Sequence, residues 1–123
     1  MIEQGRADYA YRMVSDVIKN RNEIKKEYRS YIMRLPMMIK ANCFGAAMAF
    51  YYSRQNKEQA YKVILQQIEE WLRNAGYIQG NQSLMQCISA STSDMYKLMT
   101  METMALLLWL KRFTEGMIEE NDR

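Results

Sequence analysis

The sequence predicts an all-α protein: one helical domain over residues 1–123, built as a compact bundle of five to six helices. Three observations carry that expectation. Apolar residues recur at i, i+3, i+4 and i+7 nearly throughout, the spacing of a buried helix face. One Pro and five Gly are too few for a sandwich or barrel, which turns sharply every ~8–12 residues. A chain of 123 residues, 49% of them hydrophobic, buries roughly two-thirds of its unfolded surface and so builds a real core.

Ala7, Ala10, Tyr11, Val14, Val17 and Ile18 predict a first helix from about Gln4 to Lys19. Asn20-Arg21-Asn22 is a weak break, because Asn hydrogen-bonds locally rather than propagating a helix. The stripe resumes with Ile24, Tyr28, Tyr31, Ile32 and Leu35, which fits one bent helix or two. Pro36 fixes φ and lacks an N–H, so it suits the first turn of a new helix and pushes Leu35 out of the α region. That third helix is expected to turn Ile39, Cys43, Ala46, Ala47 and Phe50 inward. Cys43, Gly45, Ala46, Ala47 and Ala49 make one side of it narrow, and it ends near Ser53-Arg54-Gln55-Asn56.

Ala60, Tyr61, Ile64, Leu65, Ile68, Trp71 and Leu72 define a fourth helix, with Gly76 as its C-terminal cap. Gly80-Asn81-Gln82-Ser83 marks a loop, and a short helix follows over Leu84 to Ala90. Ser91 and Asp94 are spaced like a capping box at the start of the last helix. Met95, Leu98, Met99, Leu106, Leu110, Phe113 and Met117 share one face of it, and Met104 to Leu110 is apolar on every side. This helix is therefore expected at the centre, with Trp109 and Leu110 largely buried. Gly116 ends it, and residues 118–123 form an acidic tail expected to fray, since carboxylates oppose the macrodipole there.

The composition excludes much chemistry. There is no His, which removes the usual neutral-pH base and the commonest metal ligand. Ser-His-Asp, Cys-His and zinc-hydrolase mechanisms go with it. Glu69-Glu70 and Glu119-Glu120 are the adjacent carboxylate pairs, but neighbours on a helix point about 100° apart and do not converge. No GxGxxG, GxxxxGK[ST] or DxDxDG loop is present. No metal, cofactor or small-molecule substrate is expected. The longest apolar run has seven residues, against the ~20 of a membrane helix. Charges interrupt the first turns, so no signal peptide is expected. Cys43 and Cys87 suggest a reduced, cytoplasmic protein with no membrane association.

Charge is unevenly spread. Residues 1–62 carry +6 and residues 63–123 carry −3, and Lys19 to Lys40 holds seven basic residues against two acidic. Such polarity suits an anionic partner, with nucleic acid the leading class, although a solvated helix face reads the same way. Lys40 and Arg54 are fourteen apart, so a continuous third helix would place them on one side. Lys97 and Lys111 repeat that spacing on the last helix, with Arg112 adjacent. Spaced cations without a groove-reading motif suit backbone contact rather than base reading. Twelve Met fit either a soft core or an exposed helix-binding groove. Of nine Tyr, Tyr11, Tyr28, Tyr31 and Tyr61 fall on core stripes. Tyr9, Tyr51, Tyr52, Tyr77 and Tyr96 remain as platforms for stacking unpaired bases.

Leu35-Pro36-Met37-Met38-Ile39-Lys40-Ala41-Asn42, Met48-Ala49-Phe50-Tyr51, Tyr61, Ile64 and Trp71-Leu72 stand in an order that resembles a known family. Tyr96, Thr100, Glu102, Leu106-Leu107 and Trp109-Leu110-Lys111-Arg112-Phe113 complete the pattern. Together they resemble the small-subunit family of the type III-B CRISPR (Cmr) RNA-targeting effector complex, its fifth subunit. Two departures stand out. The family usually has Asn-Gly-Leu where this chain has Asn42-Cys43-Phe44, and often an acidic-Tyr-Arg triplet where Met95-Tyr96-Lys97 stands.

The resemblance implies a non-catalytic, all-α subunit of an antiviral ribonucleoprotein. Copies of it would stack into a minor filament beside the backbone subunits, supporting guide RNA and target RNA through phosphates without reading bases. On that view Lys40, Arg54, Lys97, Lys111 and Arg112 are the candidate phosphate contacts. The alternative is a helical adaptor that binds a protein partner through a Met/Tyr-rich groove.

Overall fold

The computed structural model describes residues 2–120, with side chains from Gly5 onward. It contains six α-helices: α1 (Ile2–Asn20), α2 (Lys25–Asn42), α3 (Phe44–Arg54), α4 (Gln59–Asn74), α5 (Leu84–Ala90) and α6 (Ser93–Met117). A 3-10 turn, Asn22–Ile24, separates α1 from α2. The described residues form no strand.

The longest helix, α6, lies along α1 and α2. It runs parallel to α1, because Arg6 meets Glu102 and Tyr11 meets Phe113. It runs antiparallel to α2, because Arg29 near the start of α2 reaches Ile118 while Gly45, just beyond its end, reaches Tyr96. On the other side α4 crosses both α1 and α2: the Tyr9 hydroxyl donates to the Gln67 carbonyl at 2.6 Å, and the Tyr28 hydroxyl to the Gln67 side chain at 2.6 Å. The core between these helices holds Val14, Val17, Tyr28, Ile32, Leu35, Phe44, Met48, Ile64, Ile68, Met99, Leu106 and Leu110.

The expected boundary at Pro36 is not there. Pro36 sits inside α2, which continues to Asn42. An interior Pro removes one i→i−4 bond and costs roughly 3 kcal/mol. The buried stripe of Tyr28, Tyr31, Ile32, Leu35 and Ile39 spans the site on both sides and holds the helix through it. The chain turns instead at Cys43, with φ 77° and ψ 163°. Cys43 and Ala46 consequently face solvent, contrary to expectation, while Ala47 is buried as expected and Phe44 fills the core.

Only Gly takes up the Cys43 backbone geometry freely; another residue pays about 1–3 kcal/mol there. This is the position where the resembling family usually has Gly. Cys43→Gly is therefore expected to raise stability by about 1 kcal/mol, since added unfolded-state freedom offsets part of the relief. A melt should rise by roughly 3–5 °C for a chain of this size. Cys43 also makes a side-chain hydrogen bond with Tyr96, and a lower Tm would mean that this bond outweighs the strain.

The remaining ends follow local chemistry. Gly76, with φ 92°, lets the Tyr77 amide return to the Leu72 carbonyl at 2.9 Å and close α4. Ser83 and Gln86 form a reciprocal capping box on α5, unread in the sequence. The start of α6 is capped by Thr92, whose hydroxyl accepts the Met95 amide, rather than by Ser91. In the acidic tail expected at 118–123, Ile118 is buried and its carbonyl accepts from Arg29; residues 121–123 lie outside the described residues.

The segment read as apolar all round is not buried all round. Leu110 is fully buried, but Trp109 is only half-buried, and Leu108 remains 49% exposed. Leu98 and Met101 are also exposed, at 46% and 62%. One side of α6 is thus left uncovered by the described residues.

Candidate functional site

Four arginines are matched by carboxylates. Arg12 pairs with Asp8 at 3.1 Å, Arg21 with Asp16 at 3.6 Å, Arg73 with Glu69 at 3.3 Å and Arg6 with Glu102 at 2.8 Å. Lys40, Arg54, Lys97, Lys111 and Arg112 have no ion-pair partner among the described residues. Their distribution differs from the expected one. Lys40 belongs to the last turn of α2 and Arg54 to the last turn of α3, so no continuous helix aligns them. The Arg54 guanidinium lies over the Phe50 ring, 4.5 Å from its centroid.

Lys97 and Lys111 do share α6 and, at fourteen residues' separation, one side of it. Met101, Met104 and Leu108 stand between them at i+4, i+7 and i+11, and Met101 and Leu108 are exposed. The strip joining the two lysines is therefore apolar. It suits a protein contact better than a phosphate backbone.

A denser set of cations lies on α2. Lys26, Arg29 and Arg34, with Ser30, Met33 and Glu120, line a surface recess of about 360 Å³. None of the three cations has a carboxylate partner among the described residues. The seven basic residues from Lys19 to Lys40 signalled this segment. Lys26, Ser30 and Arg34 all precede Pro36, so their i, i+4, i+8 spacing puts them on one face whether or not α2 continues beyond it.

Beneath the surface several polar groups are matched to one another, while the buried Thr103 and Thr114 hydroxyls have no hydrogen-bond partner among the described residues. Glu102, buried on α6, accepts from Arg6 Nε at 2.8 Å and Nη2 at 3.0 Å, and from Trp71 Nε1 at 2.8 Å. The Arg6 guanidinium and the indole N–H hold its carboxyl below the usual range against the opposing effect of burial. Glu69 accepts the first amide of α5, from Leu84, at 2.7 Å. This is the structural use of a carboxylate pair that showed no convergent geometry.

Two of the five Tyr expected as stacking platforms are core residues. Tyr9 and Tyr51 are buried and donate to the carbonyls of Gln67 and Tyr31. Burial pushes both hydroxyls, and that of Tyr28, well above the ordinary phenol value. Tyr96 accepts the Gly45 amide at 2.7 Å and is half-buried, as is Tyr77; Tyr52 is exposed. Tyr11, assigned to a core stripe, is 52% exposed and meets Phe113 edge-on.

A smaller cavity of about 210 Å³ is lined by Gly5, Trp71, Asn74, Ala75, Tyr77 and Glu102. Its one carboxylate is already committed to Arg6 and Trp71. The described residues contain no group of three or more His, Cys, Asp or Glu able to hold a metal. No helix among them is long and apolar enough to cross a membrane.

These features define an all-helical module whose distinctive surfaces, among the described residues, are a strip of cations without carboxylate partners and an exposed apolar helix side. Its sequence belongs to the CRISPR-associated Cmr5 family, whose model matches residues 2–117. A curated relative, the CRISPR system Cmr subunit Cmr5 of Thermus thermophilus, is 29% identical over 114 residues, covering 93% of each chain. The crystal structure of a CRISPR-associated Cmr5 family protein from the same organism superposes with a TM-score of 0.79 at 26% identity. That match covers 97% of this chain and 98% of the other.

Proposed function

We propose that this protein is a non-catalytic small subunit of a type III-B CRISPR effector complex, assembling with the other Cmr subunits and with copies of itself in a minor filament. The observation that carries the reading is the family match over nearly the whole chain. The surfaces support two distinct tasks. The exposed Leu98, Met101 and Leu108 side of α6 suits packing against another subunit. The unmatched cations suit the phosphates of guide RNA and target RNA, leaving sequence recognition to base pairing.

The rival reading, a helical adaptor for an unrelated protein, would use the same α6 strip. Affinity purification of the tagged chain from its native host separates the two. Guide RNA and the other Cmr subunits are expected to co-purify; their absence, with some other protein recovered instead, favours the adaptor.

Four of the five cations, Lys40, Arg54, Lys111 and Arg112, are tested within the assembled complex. Each phosphate neutralised on a single strand contributes about 0.7 to the slope of log affinity against log salt. Lys40→Ala/Arg54→Ala is therefore expected to flatten the slope by up to about 1.4 relative to Lys57→Ala. Lys111→Ala/Arg112→Ala should flatten it less, because the apolar strip beside Lys111 faces protein. Unchanged affinity and slope in both double variants, with assembly intact, would remove these residues from RNA contact.

A further inference from the structure

We infer that the recess on α2 formed by Lys26, Arg29, Ser30 and Arg34 is a phosphodiester-binding site, the place where this chain grips an RNA backbone. The inference rests on the ribonucleoprotein reading and assigns to it a site that the sequence did not single out. Between its limits, Glu27 is the only acidic residue of α2, against Lys25, Lys26, Arg29, Arg34 and Lys40. Lys26, Ser30 and Arg34 follow at i, i+4 and i+8, so they share a face over about 12 Å of helix. That length accommodates adjacent phosphates of one strand.

Both arginines are held in place by groups that leave their charge uncompensated. Arg29 Nε donates to the Ile118 carbonyl at 2.9 Å, which anchors one edge of the guanidinium and leaves its outer nitrogens free to donate. The Arg34 guanidinium rests on the Tyr31 ring, 5.2 Å from its centroid, and its Nη2 lies 3.4 Å from the Ser30 hydroxyl. A guanidinium positioned by a neutral partner keeps its fork for a phosphate's paired oxygens and loses less side-chain freedom on binding. Lys26 adds an exposed cation at the rim. Glu120 lines the recess without forming an ion pair to any of the three among the described residues. It is the group that a bound phosphate would have to tolerate.

Two arms test the site. In the first, the full-length chain is titrated at low salt with a single-stranded RNA 12-mer or with inorganic phosphate at equal phosphate concentration, following the arginine Nε–Hε resonances by NMR. Arg29 and Arg34 signals are expected to move with RNA and to respond far less to inorganic phosphate. Glu120→Gln should tighten RNA binding several-fold. Equal responses to both probes would mean a free-anion site, and resonances indifferent to RNA would mean no site; either overturns the inference.

In the second arm the effector complex is reconstituted with Arg29→Gln/Arg34→Gln, or with Arg34→Gln alone, whose exposed side chain makes misfolding a poor explanation of any loss. The double variant should flatten the salt slope by about 1.4 for each copy that meets the RNA. Between about 50 and 200 mM salt, its affinity then falls roughly sevenfold less than that of wild type. Normal assembly with unchanged affinity and slope overturns the site and leaves the subunit role standing. Lost incorporation with an unchanged slope per incorporated copy would assign the recess to an acidic protein surface, which also overturns it. Failure of the wild-type chain to enter the complex would count against the subunit role, while the first arm still decides the site.

Discussion

Glu102→Ala is expected to destabilise the folded chain by about 3–5 kcal/mol, the range for removing one member of a buried ion pair. The loss has two parts. Arg6 would keep its charge in a half-buried position without its bidentate partner, and the Trp71 indole N–H would lose its acceptor. The effect has a defined pH dependence. Arg6 and Trp71 hold the Glu102 carboxyl below its ordinary value of 4.5. A carboxyl with a depressed folded pKa contributes stability above its unfolded pKa and loses it as pH falls through the folded one. The wild-type advantage over Glu102→Ala should therefore be full at neutral pH and shrink below about pH 4.5. Glu102→Gln keeps an acceptor for the indole but gives up the charge, so it should fall between the two and respond little to acid. Urea melts of the three proteins at pH 7 and pH 3 measure this. An alanine variant within a fraction of a kcal/mol of wild type at pH 7, or a gap unchanged in acid, would show that the network is not a stabilising element.

Phe44→Ala is expected to cost about 3–5 kcal/mol and to exceed Trp109→Ala, although Trp is the larger side chain. Phe44 is fully buried at the start of α3, with its ring edge-on to Tyr96 at 5.9 Å between centroids. Its removal opens a cavity between α3 and α6 at the corner where the chain reverses. Trp109 is half-buried and stacks on Phe113 at 5.9 Å along an open side of α6. Solvent can fill the space it leaves, so the cavity cost is small and the transfer cost partial. Equilibrium denaturation of both variants decides the order. A larger loss at Trp109 would place the centre of the core under α6 rather than at the α2–α3 corner.

Much of the architecture was legible in the chain, because helix periodicity is a local property. The stripes from Ala7 to Ile18 and from Ala60 to Leu72 define α1 and α4 without reference to anything distant. The bounds of α5, Leu84–Ala90, follow from a loop signal and a short apolar repeat. The ordered motifs from Leu35 to Phe113 carried the family. The candidate site was legible only in part. The concentration of positive charge from Lys19 to Lys40 was visible, whereas which of its cations meet carboxylates and which meet neutral groups such as the Ile118 carbonyl depended on tertiary packing.

Residue order and spacing were enough for the fold class, the helix faces, the uneven charge and the family. Three further features depend on how the helices pack. Packing carried α2 through Pro36, because burial of Leu35 and Ile39 outweighs one missing backbone bond, and so parted Lys40 from Arg54. It placed the turn at Cys43, where Phe44 had to enter the core and the backbone took a geometry that suits Gly. It left Leu98, Met101 and Leu108 uncovered, since a run of apolar residues states what a helix can bury and only its neighbours determine which side is covered.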